Sequence, residues 1–360
     1  MQYVAPGQQE RPAEVGGAGS STGSRSMNEL PDADRDALLR AAVAAPSMHN
    51  TQPWRFRFVG LTVEVYRDRE RELPAEDPSR RMLFISLGAA IFNLRVAAAV
   101  RGMGSEVRHL VDQRRPDLVA VVELGGRANE SMMALAPYIA GRRTNREPFT
   151  DQRLPAQLRV ELDLCARVEG AVLQWIDTPV RQWWLRMATN DAVAADDDDR
   201  ARSAERRRWV GGVRESDGVP SSALRPRAAA GNPVVRDLAA TPTDAARPVA
   251  AFEQEPQLAV LATRYDGPIE WLRAGQALEH VLLEATARGV STSLLNQAIE
   301  HEELRGQIND PLGPWQRPQV VIRFGYGPAV PPTPRRSIDD VLIDDVLIDD
   351  VLVDDALTAD

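Results

Sequence analysis

The sequence contains no lysine, so all 43 of its basic residues are arginines. This absence excludes several classes of enzyme, because a Walker A phosphate loop, a pyridoxal Schiff base and the phosphate contact of protein kinases each require a lysine ammonium group. Cysteine is almost as scarce, since Cys165 is the only one and cannot form an intramolecular disulfide. A single cysteine fits a reducing compartment, and we therefore expect a cytoplasmic protein.

We also expect no membrane-spanning segment and no secretory signal from the sequence. No apolar run approaches the length needed to cross a bilayer, and the N-terminal region, rich in Gln, Gly and Ser, lacks the apolar core of a secretory signal. The formal charge of −9 is concentrated at the other end, where residues 338–360 hold nine aspartates and no arginine. The rest of the chain sums to about zero, so we expect neither a nucleic-acid nor a membrane partner.

Three segments have the composition of linkers or insertions. Residues 1–28 have linker composition and are expected to form a mobile N-terminal extension. Residues 338–360 form an acidic tail that repeats Ile-Asp-Asp-Val-Leu with a period of five, and only its first copy needs to pack. Residues 196–233 begin with four aspartates and continue with many arginines and few apolar side chains. Such a long stretch inside a domain is a lid, a binding loop or a disordered insertion.

The remaining sequence alternates between helical and strand patterns. Apolar periodicity predicts helices at 34–45 and 83–101, which end before Pro46 and at Gly102. Alternating side chains predict strands at the following ranges: 55–58, 61–66, 117–124, 171–176, 258–263 and 319–326. Helices and strands are mixed without a βαβ rhythm, which favours an α+β fold with a mixed or antiparallel sheet flanked by helices.

The sequence also resembles itself at a distance of 187 residues. The positions shared by the two copies are Gly88, Ala90, Ala98, Arg101 and Gly102 in the first, and Gly275, Ala277, Ala285, Arg288 and Gly289 in the second. Each copy is followed by a strand that proline opens and glycine closes. We interpret the chain as two fused, pseudo-symmetric halves, 29–135 and 136–337. The alternative is a chance likeness of two alanine-rich helices.

The most specific segment is residues 45–56, which reads Ala-Pro-Ser-Met-His-Asn-Thr-Gln-Pro-Trp-Arg-Phe. Its two prolines restrict the backbone, and Ser47, Asn50 and Gln52 offer hydrogen-bonding groups between a helix end and a strand. Such a loop can present polar groups to the edge of a flat heteroaromatic ring. The alternative is a polar turn anchored by a core tryptophan.

This segment resembles the flavin-binding loop of the FMN-dependent nitroreductase family. Residues 142–146, Arg-Arg-Thr-Asn-Arg, are similar to that family's phosphate-binding segment, and residues 275–295 to its long interface helix with a glycine turn. Residues 318–327 and 334–336 resemble its closing strand and basic C-terminal element. The exact loop sequence and the internal duplication are most similar to the Acg-type branch. Together these likenesses span most of residues 30–340.

The resemblance implies a nitroreductase-like fold with non-covalent FMN as the cofactor. It places Arg142 and Thr144 on the phosphate, with Arg335 or Arg336 as a second clamp. The loop residues Pro46, Ser47, Met48, Asn50 and Gln52 would surround the ring and ribityl chain, and the turn Leu294, Leu295 and Asn296 would approach the ring.

Two of these residues would have catalytic roles by the same resemblance. Arg146 would stabilise the anion that forms at N1/O2 of reduced FMN, and Asn296 would donate a backbone N–H near N5. Without the family likeness, the arginine segment would read as a solvated charge run and the turn as a helix end.

The motifs are divided between the halves. The Pro46–Trp54 loop lies only in the first half, whereas the arginine segment opens the second. We therefore expect one intact FMN site per chain, a degenerate second site, and a monomeric pseudo-dimer, with a homodimer as the alternative. The four histidines lack metal-ligand spacing, so no metal site is predicted.

The resemblance implies an NAD(P)H-dependent oxidoreductase. NAD(P)H would be a transient reductant, and hydride would pass through the flavin to a small electron-poor acceptor, a nitroaromatic or quinone, by a ping-pong mechanism. The rival interpretation is an FMN-sequestering protein with little turnover, in which residues 196–233 close over the flavin. The sequence does not decide between them.

Overall fold

The computed structural model describes residues 29–229, 236–239, 241–312 and 316–343. The predicted N-terminal extension and the later copies of the acidic repeat lie outside these ranges, as does part of the predicted lid. All statements below concern the described residues.

The helices and strands have the following bounds. The helices are α1 (Asp32–Val43), α2 (Arg81–Val100), α3 (Glu130–Met133), α4 (Ala136–Ile139), α5 (Ala156–Val168), α6 (Pro179–Asp198), α7 (Arg200–Trp209), α8 (Pro242–Ala245), α9 (Pro268–Ala287), α10 (Gln297–Glu300) and α11 (Glu302–Leu312). The strands are β1 (Trp54–Val59), β2 (Thr62–Arg67), β3 (Met103–His109), β4 (Leu118–Arg127), β5 (Val172–Trp175), β6 (Gln257–Thr263), β7 (Ser291–Leu294) and β8 (Arg317–Gly325).

Two sheets share one topology. The first has the strand order β1-β2-β4-β3 and the second β5-β6-β8-β7, and all neighbouring strands run antiparallel. In each half a helix precedes two strands, and a long helix separates them from two more. The predicted α+β class and the two pseudo-symmetric halves are therefore confirmed. The boundary between residues 135 and 136 stays a prediction.

The halves differ most between their first two strands. β1 and β2 are joined by a tight turn at Gly60, whose φ of 59° is accessible to glycine without strain. In the second half residues 176–256, here called the β5–β6 connection, replace that turn and contain α6, α7 and α8. The predicted lid at 196–233 belongs to this connection. In its described part the structure places the helix α7, followed by irregular chain with a short 3₁₀ helix at Ser221–Ala223.

The long helices α2 and α9 cross at a point of local two-fold symmetry. A Cβ added to Gly88 would lie 2.1 Å from the carbonyl oxygen of Leu272, and one added to Gly275 would lie 2.0 Å from that of Ile85. Leu272 follows Ile85 by 187 residues, the spacing of the sequence repeat, so the two contacts are reciprocal. The repeated glycine therefore serves a close approach of two helix backbones at the centre of the molecule.

Helix α2 corrects one statement made from the sequence. Its residues 81–100 are long and apolar enough to cross a membrane by length and composition alone. However, 89% of its most apolar window is buried inside the protein, where α2 packs against α1 and α9. The helix is apolar all round because it lies in the core.

The two apolar cores exchange residues between the halves. The core of the first half includes Leu272 from α9 and Val341 from the C-terminal segment. The core of the second half includes Met48 and Met82 from the first half. Burial raises the pKa of the Cys165 thiol to about 12, which suits a packing residue better than a nucleophile.

The first copy of the acidic repeat packs on the first sheet. Val341 is buried, and its carbonyl oxygen accepts a hydrogen bond of 2.7 Å from the backbone N–H of Phe56. The backbone N–H of Ile343 donates in turn to the carbonyl oxygen of Phe56 at 2.8 Å. The chain thus returns from the second half to the first sheet. The later copies of the repeat lie outside the described residues, so the expectation that only the first copy needs to pack stays a prediction.

Candidate active site

A cavity of about 270 Å³ lies where the two halves meet, near the lower end of the range typical of small-molecule sites. Its walls come from the loop after α1, from α2, from the chain between α4 and α5, from the β5–β6 connection, and from the turn and tail that follow β7 and β8. Among its lining residues are ten of those predicted above: Pro46, Ser47, Met48, Asn50, Arg142, Thr144, Arg146, Leu294, Asn296 and Arg335.

Three predicted residues do not line this cavity, and their contacts explain why. Gln52 donates to the carbonyl of Ser216 at 2.8 Å and accepts from the backbone N–H of Arg336 at 2.9 Å, so it joins chain segments. Arg336 is paired with Asp68 at 3.1 Å. Leu295 is buried in an apolar cluster beside the second sheet. All three lie outside the lining of the cavity, and their assignment to the FMN site stays a prediction, with Arg335 as the lining member of the Arg335 or Arg336 pair.

The loop after α1 has an unusual backbone. His49, Asn50 and Gln52 have φ values of 48°, 56° and 52°, in the left-handed region that non-glycine residues rarely adopt. The loop is held by a hydrogen bond of 2.9 Å from the N–H of Gln52 to Ser47 Oγ. Asn50 Nδ2 donates to the carbonyls of Gly218 at 2.9 Å and Pro334 at 3.0 Å. Strain of this kind is characteristic of functional sites.

Three arginines converge at one end of the cavity. Arg142 Nη2 and Arg335 Nη2 donate to the same carbonyl oxygen, that of Ala44, at 3.3 Å and 3.2 Å. The Nε atoms of Arg142, Arg143 and Arg335 are buried without a hydrogen-bond partner in the described part of the chain. Burial, reinforced by Arg142 and Arg143, lowers the pKa of Arg335 to about 9. Such a cluster of partly unsatisfied guanidinium groups fits an anion such as a phosphate.

The Glu279 carboxyl group, which lies beside Arg142, neutralises only part of the positive charge of these arginines. Glu279 on α9 is fully buried, with its Oε1 atom 3.4 Å from Arg142 Nε. Burial raises the pKa of Glu279 to about 7, although Arg142 lowers it. Near neutral pH the carboxyl group is thus only partly ionised, and the end of the cavity keeps a net positive charge.

Arg146 and Asn296, the two residues with predicted catalytic roles, line the cavity and belong to the second half. Arg146 Nη1 donates to the carbonyl of Ala223 at 3.4 Å, and burial together with Arg236 and Arg247 lowers its pKa to about 10. The side chain of Asn296 accepts a hydrogen bond of 2.9 Å from the N–H of Val321 in β8. The side-chain amide of Asn296 therefore fixes the turn, and its backbone carbonyl accepts from the N–H groups of Ile299 at 2.9 Å and Glu300 at 3.0 Å.

The arginine segment is fastened to the second sheet beside this turn. Thr144 forms a parallel bridge with Thr292 of β7, and the N–H of Asn145 donates to the carbonyl of Thr292 at 2.8 Å. Asn145 Nδ2 also donates to the carbonyl of Pro328 at 2.8 Å. Residues 142–146 are therefore held on rigid elements, as a binding site requires.

The described residues of the β5–β6 connection form one wall of the cavity. They contribute the lining residues Val219, Ala223, Arg225, Arg236 and Leu238. A buried ion-pair network anchors the connection: Arg206 on α7 donates to Glu76 at 2.6 Å and to Asp196 at 2.8 Å, and Arg236 is 2.5 Å from Glu300. The composition left a lid, a binding loop and a disordered insertion open, and it did not predict these partners. Glu76 lies 130 residues from Arg206, and Glu300 lies 64 residues from Arg236.

Several lining residues were missed by sequence reasoning. These are Ser86 on α2, Arg143, Arg225, Arg236 and Glu300, together with His49, which was quoted in the motif without a role. Arg143 and His49 stand inside the quoted motifs, so their position was a usable signal. The others carry no local pattern, and only the fold brings them to the cavity.

In the second half, the position that corresponds to the start of the loop after α1 is the residue that follows α5. α1 ends at Val43 followed by Ala44, and α5 ends at Val168 followed by Glu169. The Glu169 carboxylate lies 2.6 Å from Arg95 Nη1. An ion pair therefore occupies the position that corresponds to Ala44, whose backbone carbonyl accepts hydrogen bonds from Arg142 and Arg335. Across the described residues, no group of three or more His, Cys, Asp or Glu side chains is arranged to hold a metal ion.

Comparison with known proteins gives the family. No family model matches the chain. A Mycobacterium tuberculosis H37Rv protein named "Uncharacterized protein Rv3127" is 31% identical over 323 residues, covering 86% of this chain and 92% of the relative. "Putative NAD(P)H nitroreductase acg" of the same strain is 29% identical over 326 residues, covering 85% of this chain and 94% of the relative.

Two solved structures are similar over about three fifths of the chain. A nitroreductase with bound FMN from Desulfitobacterium hafniense is 11% identical with a TM-score of 0.38, over 59% of this chain and 98% of its own. One from Bacteroides fragilis, also with bound FMN, is 14% identical with a TM-score of 0.34, over 61% and 97%.

The chain is a duplicated α+β protein with an arginine-lined cavity between its two halves. By its sequence relatives the chain belongs to the nitroreductase-like family, in its Acg-type branch.

Proposed function

We propose that this chain is an FMN-binding, NAD(P)H-dependent oxidoreductase of the nitroreductase type. The observation that carries the proposal is the buried cluster of Arg142, Arg143 and Arg335, whose Nε atoms lack a hydrogen-bond partner in the described part of the chain, although Arg142 Nε lies 3.4 Å from Glu279 Oε1. Such a cluster fits the phosphate of FMN. Bound FMN would supply hydride chemistry, taking a hydride from NAD(P)H and delivering it by a ping-pong mechanism to a small electron-poor acceptor such as a nitroaromatic or quinone.

The residues of the chain would bind, orient and shield the cofactor. The three arginines would hold its phosphate by charge-assisted hydrogen bonds. Arg146 at the other end would stabilise negative charge on the reduced ring, and the backbone of Asn296 would face the ring edge. The β5–β6 connection would exclude water, which strengthens both electrostatic contacts.

Because each half contributes different walls, one chain can complete one site. We infer that the two halves, 29–135 and 136–337, act as a monomeric pseudo-dimer in the cytoplasm, with a homodimer as the alternative. The partner in this scheme is the small-molecule acceptor.

Flavin reduction under anaerobic conditions tests the proposal. The purified chain is loaded with FMN, and its absorbance near 450 nm is followed after mixing with excess NADPH or NADH in a stopped-flow instrument. We expect bleaching within seconds, followed by recovery when a quinone is added. A chain that binds no FMN at all would refute the proposal.

A second candidate function, FMN sequestration with little turnover, is favoured by the anchored β5–β6 connection that forms one wall of the cavity. Its signature in the same experiment is bound flavin that stays oxidised for minutes in excess reductant. Arg206→Ala should then restore reduction, because it breaks the buried link from α7 to Glu76 and Asp196. The exposed Arg208→Ala on the same helix is the matched control.

A further inference from the structure

His49 is the one histidine that lines the cavity in the described structure, and its side chain is held from behind by a buried carboxylate. Its Nε2 atom contacts Glu76 Oε2, and both side chains are almost fully buried. Although burial raises the pKa of Glu76, contacts with His49, Arg236 and Arg206 lower it to about 2, so this carboxyl group is ionised. The contact between Nε2 and Glu76 fixes the direction of the His49 ring, and the backbone of His49 is left-handed, with φ 48°.

The reaction proposed above needs a proton as well as a hydride. Reduction of a quinone consumes one hydride and one proton, and the β5–β6 connection forms one wall of the cavity. The other ionisable side chains that line the cavity cannot easily supply the proton. Most are arginines, which do not act as acids at neutral pH, and Glu300 is paired with Arg236 at 2.5 Å. Imidazole ordinarily exchanges protons near neutral pH.

We propose that His49 is the proton donor to the acceptor, with Glu76 as the positioning residue that holds the ring and stabilises the imidazolium form. This inference rests on the proposed function. Bound FMN would supply the hydride, with its electron pair, that reduces the acceptor by two electrons. The acceptor oxygen then takes the proton from Nδ1 of His49, and neutral His49 regains a proton from water after the product leaves. The arrangement resembles the role of the aspartate in a catalytic triad.

The oxidative half-reaction isolates this step. FMN-loaded protein is photoreduced without oxygen, which avoids any dependence on NADPH, and is then mixed with benzoquinone or with ferricyanide. Ferricyanide takes electrons without a proton. We expect His49→Gln to slow reoxidation by benzoquinone by about 10²-fold or more, the usual range for a general acid, while the ferricyanide rate changes less than threefold. His49→Asn gives a second variant, because asparagine tolerates a left-handed backbone.

The matched control is His301→Gln. His301 Nε2 contacts Asp196 in the same ion-pair network at 3.0 Å but does not line the cavity. Its substitution should leave both rates unchanged. An equal fall of both rates in His49→Gln, or an unchanged benzoquinone rate, would overturn the assignment.

A second readout needs no turnover. Two-bond ¹H–¹⁵N correlation spectra are recorded on protein with ¹⁵N-labelled histidine, and the His49 signals are assigned by their loss in His49→Gln. They should show a proton on Nε2 of His49, directed at Glu76. A His49 ring without a proton on Nε2 would contradict the proposed orientation. Loss of FMN binding by the unaltered chain would instead refute the proposed function, so the two failures are distinguishable.

Discussion

At the scale of single residues, the cavity is governed by a few charges that are buried together. Arg142, Arg143 and Arg335 share one end with Glu279, and burial moves the pKa of Arg335 down and that of Glu279 up. Both shifts have the same cause, since burial disfavours whichever form is charged. An anionic ligand at this end would relieve the repulsion between the guanidinium groups, so affinity for it should depend on each of them.

Arg142→Ala is expected to weaken FMN binding by about 1.5–3 kcal/mol, or about 10- to 150-fold in Kd, the range for a hydrogen bond to a charged group. Isothermal titration of the flavin-free protein measures it. Because the substitution also leaves the Glu279 carboxyl group without its cation, the double variant Arg142→Ala/Glu279→Gln separates that effect. The exposed Arg153→Ala is the control. Unchanged FMN affinity would remove Arg142 from the phosphate site.

Glu279 should also make stability depend on pH. Its pKa in the folded protein, about 7, lies above its ordinary value of 4.5, so the folded state binds more protons than the unfolded state between these values. This contribution to stability is complete below about pH 4.5 and is lost as the pH rises through about 7. In thermal unfolding from pH 4 to 8, Glu279→Gln should show a smaller fall of Tm than the unaltered protein. Glu284→Gln, on the same helix, should keep the original slope.

At the scale of elements, the predictable parts were those with strong local patterns. Six strands were predicted because their side chains alternate or are apolar, and each overlaps a strand of the structure to within a residue at the ends that the prediction overshoots. The predicted ranges are 55–58, 61–66, 117–124, 171–176, 258–263 and 319–326. β3 was not predicted, since its half-exposed residues include Gly104 and Ser105 and it pairs only with β4 at the edge of the sheet. Pairing with a neighbour forms such a strand, and the strand's own sequence does not reveal that neighbour.

The crossing of α2 and α9 gives a prediction at this scale. Gly88→Ala should lower the free energy of unfolding by at least about 3 kcal/mol, because the new Cβ would lie 2.1 Å from a backbone carbonyl oxygen that cannot move alone. Urea denaturation measures the change. Gly306→Ala on α11, where the added Cβ meets nothing within 4 Å, should change stability by about 1 kcal/mol or less, in the stabilising direction. Equal effects at both positions would contradict the close crossing.

At the scale of the whole molecule, the halves share a topology but are chemically different. The first half presents a polar loop after α1, whereas the second presents Glu169 bound to Arg95 at the matching place. A titration of flavin-free chain with FMN should therefore reach saturation at one equivalent. Two equivalents per chain would show that the second place still binds the cofactor and would end the pseudo-dimer interpretation.

The C-terminal segment gives a second test of the whole chain. A chain that ends after Ile343 should keep its FMN content and stability, because the packed copy of the repeat is intact. A chain that ends after Ser337 should lose several kcal/mol, since Val341 is fully buried in the first core and its neighbours bridge to Phe56. Retained stability in the shorter chain, measured by urea denaturation, would contradict this packing.

The sequence by itself determined the fold class, the duplication and most of the cavity-lining motif, because these depend on local periodicity and on residues close together in the chain. Gly88 and Gly275 even marked the symmetry centre. Only the tertiary structure decided which charged groups meet. Glu76, Arg206 and Glu300 carry no local pattern, and Arg336 matched a motif yet is paired with Asp68 outside the cavity lining. The reason is physical: a buried ion pair depends on where distant segments are brought together, and neither segment alone records its partner.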